Sequence, residues 1–351
     1  MERPNTETYI RWIGYSAIIM GVILVGLILK VLKAIFIPLV FALFISFLYS
    51  PINKFFIKIK IPIIVRTLLL ILAIFFLSYT TILLLKVGIS KFIDQVPQYQ
   101  PRLLGIVVEI VEKFGVSEDD VIGFINNQVN LDFLVNTLSL NRLMSFFANN
   151  VITILSYYVL TLLFCIFLFT DDRNFIFKLF QLFFTDKKKS EIIIQKIEKQ
   201  LNTYILTKTF INFMSSSLSG FAIFIIGVDF PILSGLLIFT FGFIPNIGSV
   251  VAVSFPILIC FLKFGLSWQL FTTIGVLTLI NSFFGNYLEP KLMGYKFNLS
   301  PVFIIILVVL WGWIWGPIGM LLAVPITAVF DIIFKELGKF ERTRSIINLK
   351  N

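Results

Sequence analysis

Between Glu198 and Asp331 the only acidic side chains are Asp229 and Glu289. Any cation or proton chemistry in this half of the chain must therefore use one of these two, Asp331, or neutral oxygens. Glu289 follows Thr278, Ser282 and Asn286 at spacings of four, four and three. On a helix that spacing puts the polar groups on one face, which also includes Gly285. A polar stripe ending in a carboxylate beside Pro290 suits a small polyol or an ion. A second reading stays open, in which Glu289 and Lys291 are interfacial residues that snorkel and anchor a helix end.

Other chemistry is excluded by what the chain lacks. It has no histidine, and so lacks the commonest general acid/base and the leading transition-metal ligand. Without histidine there is no zinc motif and no serine triad, and no glycine-rich phosphate loop follows a strand pattern. The expectation is a protein that is not an enzyme and holds neither a metal nor a cofactor. Cys165 and Cys260 both lie inside apolar runs and read as small buried hydrophobes.

The elements that position these groups belong in a membrane. Of 351 residues, 58% are hydrophobic and 14% charged, and the mean hydropathy is +0.98, whereas soluble domains are about 45–50% apolar and about 25% charged. Several runs approach the roughly 20 residues needed to cross about 30 Å of hydrocarbon. The net charge of +10 comes from lysines and arginines flanking those runs, as the positive-inside rule expects, so nucleic acid is not a partner. The fold class expected is all-α: a polytopic integral membrane protein with six to eight transmembrane helices and a small helical extracytoplasmic domain.

In chain order, Trp12 to Leu29 is a retained membrane helix, and Ala34 to Ser50 is expected to form a hairpin with it. Lys54, Lys58, Lys60 and Arg66 mark the next loop as cytoplasmic. Thr67 to Leu85 crosses outward and completes an N-terminal membrane region, residues 1–90. Residues 91–149 form the extracytoplasmic domain. Here Pro97 and Pro101 are expected to interrupt the chain, an amphipathic helix runs from Leu103 to Phe114, and acids outnumber bases. Val151 to Thr170 returns inward and opens the C-terminal transport unit, 150–351. Within it, residues 186–208 form a basic amphipathic helix whose Ile193, Ile197, Leu201 and Ile205 recur every four residues, facing the bilayer, its neighbours or a partner. Small residues from Ser215 to Gly220 read as helix packing or as a polar pathway.

Two long apolar segments are broken. Pro231 to Leu262 would reach about 48 Å as one helix, and Pro245-Asn246-Ile247-Gly248 divides it. Pro301 to Asp331 is divided in the same way at Gly316-Pro317-Ile318-Gly319. Unwound backbone at bilayer depth is stable only when buried or lining a cavity, so paired interruptions point to a transport site. Kinked packing helices are the plainer alternative. Two kinked crossings give eight spans; two re-entrant hairpins give six and place the Glu289 to Lys296 loop inside. Lys263 favours one placement, and Lys291 with Lys296 the other. Trp311, Trp313 and Trp315 beside the second break serve either interfacial anchoring and packing or a stacking platform.

The run Asn286, Glu289, Pro290, Lys291, Gly294, Ser300, Pro301, then Gly312, Gly316, Pro317, Gly319 and Ala323-Val324-Pro325, resembles the C-terminal signature of the AI-2E family of bacterial inner-membrane permease-like proteins. Phe243-Ile244-Pro245-Asn246-Ile247-Gly248 matches another of its hallmarks. The resemblance implies export of autoinducer-2 or a related small polar solute, with sodium/proton antiport as the alternative. The expected localisation is the bacterial inner membrane with both termini cytoplasmic. The expected partners are the bilayer, the solute, sodium or protons, and further copies in a homo-oligomer. The candidate pathway residues are Glu289, Asn286, Ser282, Asn246, Asp229 and Asp331, with helix breaks at Pro245, Gly248, Gly316, Pro317 and Gly319. A membrane scaffold acting through residues 91–149 is the alternative of another class.

Overall fold

The computed structural model describes residues 6–112, 140–170, 177–178, 180–181, 186–245, 247–293 and 301–348, and every regular element in them is helical. In order these are α1 (Thr6–Val31), α2 (Lys33–Lys58), α3 (Ile63–Glu112), α4 (Leu140–Thr170), α5 (Lys187–Ile226), α6 (Pro231–Phe241), α7 (Ile247–Phe264) and α8 (Trp268–Asn281). A π-helix (Ser282–Leu288), α9 (Glu289–Met293), α10 (Pro301–Trp315) and α11 (Pro317–Asn348) follow. Among the described residues, Lys33–Lys58, Ile63–Phe92, Ser190–Ile226 and Ile247–Phe264 are long and apolar enough to cross a bilayer, and shorter apolar helices accompany them. Phe75, Phe76, Leu77 and Ile82 are all exposed, as residues facing lipid can be without cost. The chain is a polytopic helical membrane protein.

The helices form two compact units. One comprises Met1–Phe47, Tyr157–Ile197 and Pro301–Asn351; the other comprises Leu48–Ser156 and Glu198–Ser300.

In the first unit, α1 and α2 are separated by Leu32 alone, where an αα-hairpin needs a loop of about 2–5 residues. Leu32 donates its N–H to Ile28 and accepts from Phe36, so the join is an elbow and not the expected hairpin loop. The second broken segment does turn back. Gly316 has φ +68°, the left-handed geometry of a helix C-terminus, and Pro317 opens α11 at the first position, where its missing N–H costs nothing. Gly319 abuts the Trp311 carbonyl and Gly312 abuts the Met320 side chain. Eight residues along a continuous helix would separate each pair by about 12 Å, so α10 and α11 are the two arms of a hairpin. The break is narrower than expected: Pro317 to Gly319 are already helical.

In the second unit, α6 and α7 form the other hairpin. Their tip is a non-helical turn from Gly242 to Pro245, closed by the Ile244 N–H on the Phe241 carbonyl at 2.8 Å. Gly248 lies so close to that carbonyl that a Cβ would overlap it. At the other end, Leu233 of α6 shares a buried cluster with Ile259 and Leu262 of α7. The two arms therefore begin and end at one level. Phe230, with φ 59°, enters this hairpin in a conformation that costs a bulky residue energy. Its ring packs 5.2 Å from Phe92.

Two separations expected from the sequence are absent. α3 continues through Pro97 and Pro101 to Glu112. Each proline removes one donor and crowds the carbonyl four residues back. Because Pro101 lies four after Pro97, both defects fall on one side, and the remaining bonds carry the helix onward. Likewise 186–208 is not a separate surface helix, since α5 runs unbroken for 40 residues. Its buried positions, Ser190, Ile193, Ile197, Leu201, Tyr204 and Lys208, then Ile211, Ser215, Ser219 and Ile223, follow one helical stripe from end to end, so protein packing holds the whole length in one rod. Residues 113–139, the middle of the expected extracytoplasmic domain, lie outside the described residues.

Candidate functional site

The site grows from the second unit's stretch of α5. Its stripe turns polar after Tyr204: Lys208, Asn212, Ser215, Ser216 and Ser219 are all buried. An uncompensated ammonium in such a place is costly. Lys208 Nζ therefore donates to both carboxylate oxygens of Glu289, at 2.7 and 2.6 Å. The lysine side chain is 9% exposed and that of Glu289 22%.

Glu289 reaches this partner because of the helix before it. Residues Ser282–Leu288 are π-helical, with the Glu289 N–H bonded back to the Phe284 carbonyl. A turn closed by i→i+5 bonds advances each residue by less than the α-helical step, so the shared face expected for Ser282, Asn286 and Glu289 is not kept. Ser282 and Asn286 are exposed, while Glu289 turns partly inward. Such π segments recur at functional sites.

One turn beyond Lys208, Asn212 meets the tip of the first hairpin. Its side-chain N–H donates weakly to the Phe239 carbonyl at 3.4 Å, and its carboxamide fills the space that a side chain at Gly242 would take. Further along, a Cβ at Gly235 would lie 3.4 Å from the Ser216 carbonyl, and one at Gly220 would lie 3.3 Å from that of Pro231. The small residues thus bring the α5 and α6 backbones together, which is the packing reading of the Ser215 to Gly220 run. Ser219 and Ser234 are fully buried, and their hydroxyls have no partner among the described residues.

Asp229 stands at the base of the same hairpin. It accepts from Lys263 Nζ at 2.6 Å and from the Tyr99 hydroxyl at 2.5 Å. Lys263 also donates to the Gly227 carbonyl at 2.9 Å, and Arg102 donates to the Lys263 carbonyl. Burial pushes the Tyr99 phenol above its usual range; the hydrogen bond to Asp229 and the Asp229 charge add to the shift, and Arg102 opposes them. Asp331, in the first unit, bonds Lys335 on its own helix at 2.6 Å. Asn246 lies outside the described residues.

Three partners escaped the sequence reading. Lys208 counts there as one more cytoplasmic lysine, although its register with Leu201, Tyr204 and Ile211 already places it on the buried stripe. Tyr99 and its partner Asp229 are 130 residues apart, so no local pattern joins them. Glu198 is also buried and accepts from Ser50 and, at 3.2 Å, from Lys54. Two of the three tryptophans are packing residues: Trp311 and Trp315 are buried with ring centroids 5.1 Å apart, whereas Trp313 is exposed. Trp315 Nε1 donates to the Leu29 carbonyl at 3.0 Å, and Lys30 Nζ lies 3.9 Å from the Trp313 ring centre.

With two helical hairpins, a partly buried ion pair and a polar stripe in place, the comparison with known proteins is decisive. The family model for the AI-2E family transporter matches residues 17–339. The chain belongs to the AI-2E transporter family. Among AI-2E relatives, the AI-2 transport protein TqsA of Escherichia coli (strain K12) is 28% identical over 309 residues, which cover 86% of each chain. A putative transport protein of Borreliella burgdorferi is 26% identical over 328 residues, covering 91% of this chain and 86% of its own length. One from Haemophilus influenzae is 28% identical over 345 residues and 93% of both. Like other AI-2E members, the chain is a membrane transport protein.

Proposed function

We propose that this AI-2E chain is a permease of the bacterial inner membrane that moves a small polar solute of the autoinducer-2 kind, with Glu289 as the carboxylate that binds the solute or a coupling cation. The Lys208–Glu289 pair, its lysine buried and its carboxylate partly so, carries this reading. An ionisable residue at bilayer depth costs about 2.5–3.5 kcal/mol on insertion scales and is seldom kept there without a partner or a watered path. Asn246, next to Pro245 in sequence, and Ser282 and Asn286, on the exposed side of the π segment, are the further polar candidates. Asp229 and Asp331 are the alternative carboxylates. Transport rather than catalysis fits the family and the absence of histidine.

Re-entry of both broken segments gives six crossings, α1, α2, α3, α4, α5 and the helical run 268–293, and requires that the elbow at Leu32 open into a reversal in the bilayer. The first hairpin then enters from outside and the second from inside, with both termini cytoplasmic. Lys263 breaks the positive-inside pattern in this arrangement, and its bond to Asp229 offsets its charge. The expected assembly is a homo-oligomer.

Flux into inside-out vesicles, with autoinducer-2, sodium and protons offered separately, tests the function. Glu289→Gln keeps size and hydrogen bonding but removes the charge, and it should abolish ion-dependent flux while insertion stays normal. Unchanged flux would move the site to Asp229 or Asp331.

A further inference from the structure

Ser219 and Ser234 are each fully buried, and neither hydroxyl has a hydrogen-bond partner among the described residues. Buried hydroxyls in native proteins nearly always have one, so two orphans on neighbouring helices call for a cause. Gly220 faces the Pro231 carbonyl and Gly235 faces the Ser216 carbonyl, so α5 and α6 run antiparallel across a seam of small residues. Ser219 comes three residues after Ser216, and Ser234 three after Pro231. At about 100° per residue, both lie on the same side of that seam. This side of α5 is polar: Lys208, Asn212, Ser215 and Ser219 fall within about 60° of one another around the helix, and all four are buried. The line extends about 16 Å along α5, and its one charged member, Lys208, is paired with Glu289.

We propose that Ser219 and Ser234 form a binding subsite for a neutral polyhydroxylated solute, open when α6 moves off α5 and closed in this structure. This rests on the reading of the protein as a permease for a small polar solute, and is independent of the role of Glu289. A serine hydroxyl both donates and accepts, so the pair takes a solute hydroxyl in either sense. A charged solute would enter between the two helices uncompensated, because Lys208 and Glu289 already satisfy each other. A neutral polyol exchanges its bonds to water for bonds to the serines and brings no charge to bilayer depth. In the closed seam the close approach at Gly220 and Gly235 leaves a solute no room, and the two hydroxyls go unsatisfied, a cost that opening removes. The seam can yield, since the bond from Asn212 to the Phe239 carbonyl is weak, at 3.4 Å.

The test uses the full chain in proteoliposomes, with radiolabelled erythritol and autoinducer-2 as neutral probes and erythronate as the anionic one. Ser219→Ala and Ser234→Ala should each raise KM for the neutral probes about threefold, and the double variant about tenfold, with kcat changed less. Each alanine removes a buried oxygen without a partner, so the thermal midpoint should hold or rise, which separates lost binding from lost folding. Ser219→Cys and Ser234→Cys should react with a small water-soluble methanethiosulfonate faster than the parent chain, whose two cysteines are buried, and a saturating neutral probe should slow that reaction. Unchanged KM in the double alanine variant, a lowered thermal midpoint, new cysteines as unreactive as the parent's, or erythronate moved as fast as the neutral probes each overturns the proposal and leaves the permease reading in place. A wild type that moves neither neutral probe overturns that reading, and the proposal with it.

Discussion

Asp229 and Lys263 are 34 residues apart in sequence and 2.6 Å apart in space, which fixes the two ends of the first broken segment at one level. Each side chain is less than one-third exposed, so neither can be removed without leaving its partner short of a hydrogen bond. Asp229→Asn or Lys263→Met should each lower the stability of the purified protein by about 1.5–3 kcal/mol. The double variant should cost less than the sum, because the two changes remove the same interaction. Thermal unfolding in one detergent measures all three, and strict additivity would show that the pair does not clamp the hairpin.

The side of the membrane on which that clamp lies can be read by labelling. Leu266, in the turn after α7, is 76% exposed, and Leu292 of α9 is exposed at the other end of the helical run from Trp268. Both native cysteines are fully buried, so background is low. Leu266→Cys should react with an impermeant maleimide in intact cells, and Leu292→Cys only after permeabilisation. Reaction of both in intact cells would mean that the run from Trp268 to Met293 does not cross.

Glycine substitutions should separate close approach from backbone conformation. A Cβ at Gly248 overlaps the Phe241 carbonyl and one at Gly319 overlaps the Trp311 carbonyl. Alanine at either position must push the arms of its hairpin apart, and should cost about 1–3 kcal/mol or more. Gly316 has open space but a left-handed φ, so Gly316→Ala should cost only about 1–2 kcal/mol. Gly21→Ala, in open space on α1, is the control and should gain about 0.5–1 kcal/mol from alanine's helix preference. Equal stability across the set would rule out the hairpin geometry.

Trp315→Phe tests the elbow between α1 and α2. Within the elbow, no backbone N–H among the described residues takes up the Leu29 carbonyl, and the Trp315 indole does so instead. Phenylalanine keeps most of the packing and loses the donor, and should lower stability by about 1–3 kcal/mol. Trp313→Leu, which alters a half-exposed ring stacked on Lys30, should change it by less than about 1 kcal/mol.

The hairpins were legible because glycine and proline restrict the backbone locally. Pro245 with Gly248, and Gly316 with Pro317, announce a break wherever they occur in an overlong apolar run. Whether such a break bends a crossing helix or reverses it depends on contacts such as Asp229 with Lys263, which no local rule contains. Proline also misled: the same ring that opens α11 at Pro317 is carried inside α3 at Pro97 and Pro101, because the surrounding hydrogen bonds outweigh two lost donors on one side. Glu289 was singled out by scarcity, and its ion-pair partner was missed because Lys208 and Glu289 lie 81 residues apart. The π segment was invisible because an i→i+5 turn has no residue signature of the kind that marks a cap.

One dimension of α3 ties the protein to its solvent. Ile63–Phe92, at 30 residues, measures about 45 Å as helix, against about 30 Å of hydrocarbon. None of its apolar window is buried in protein, so along that window lipid meets the helix directly and biases its inclination, by the compromise between leaning and local thickening, while Gly88 and Phe92 pack its far end on the first hairpin. The same rod carries Tyr99 to Asp229. Acyl-chain length is therefore an input to this protein: thinner bilayers should lean α3 further and strain its hold on the first hairpin, and thicker ones should relieve it.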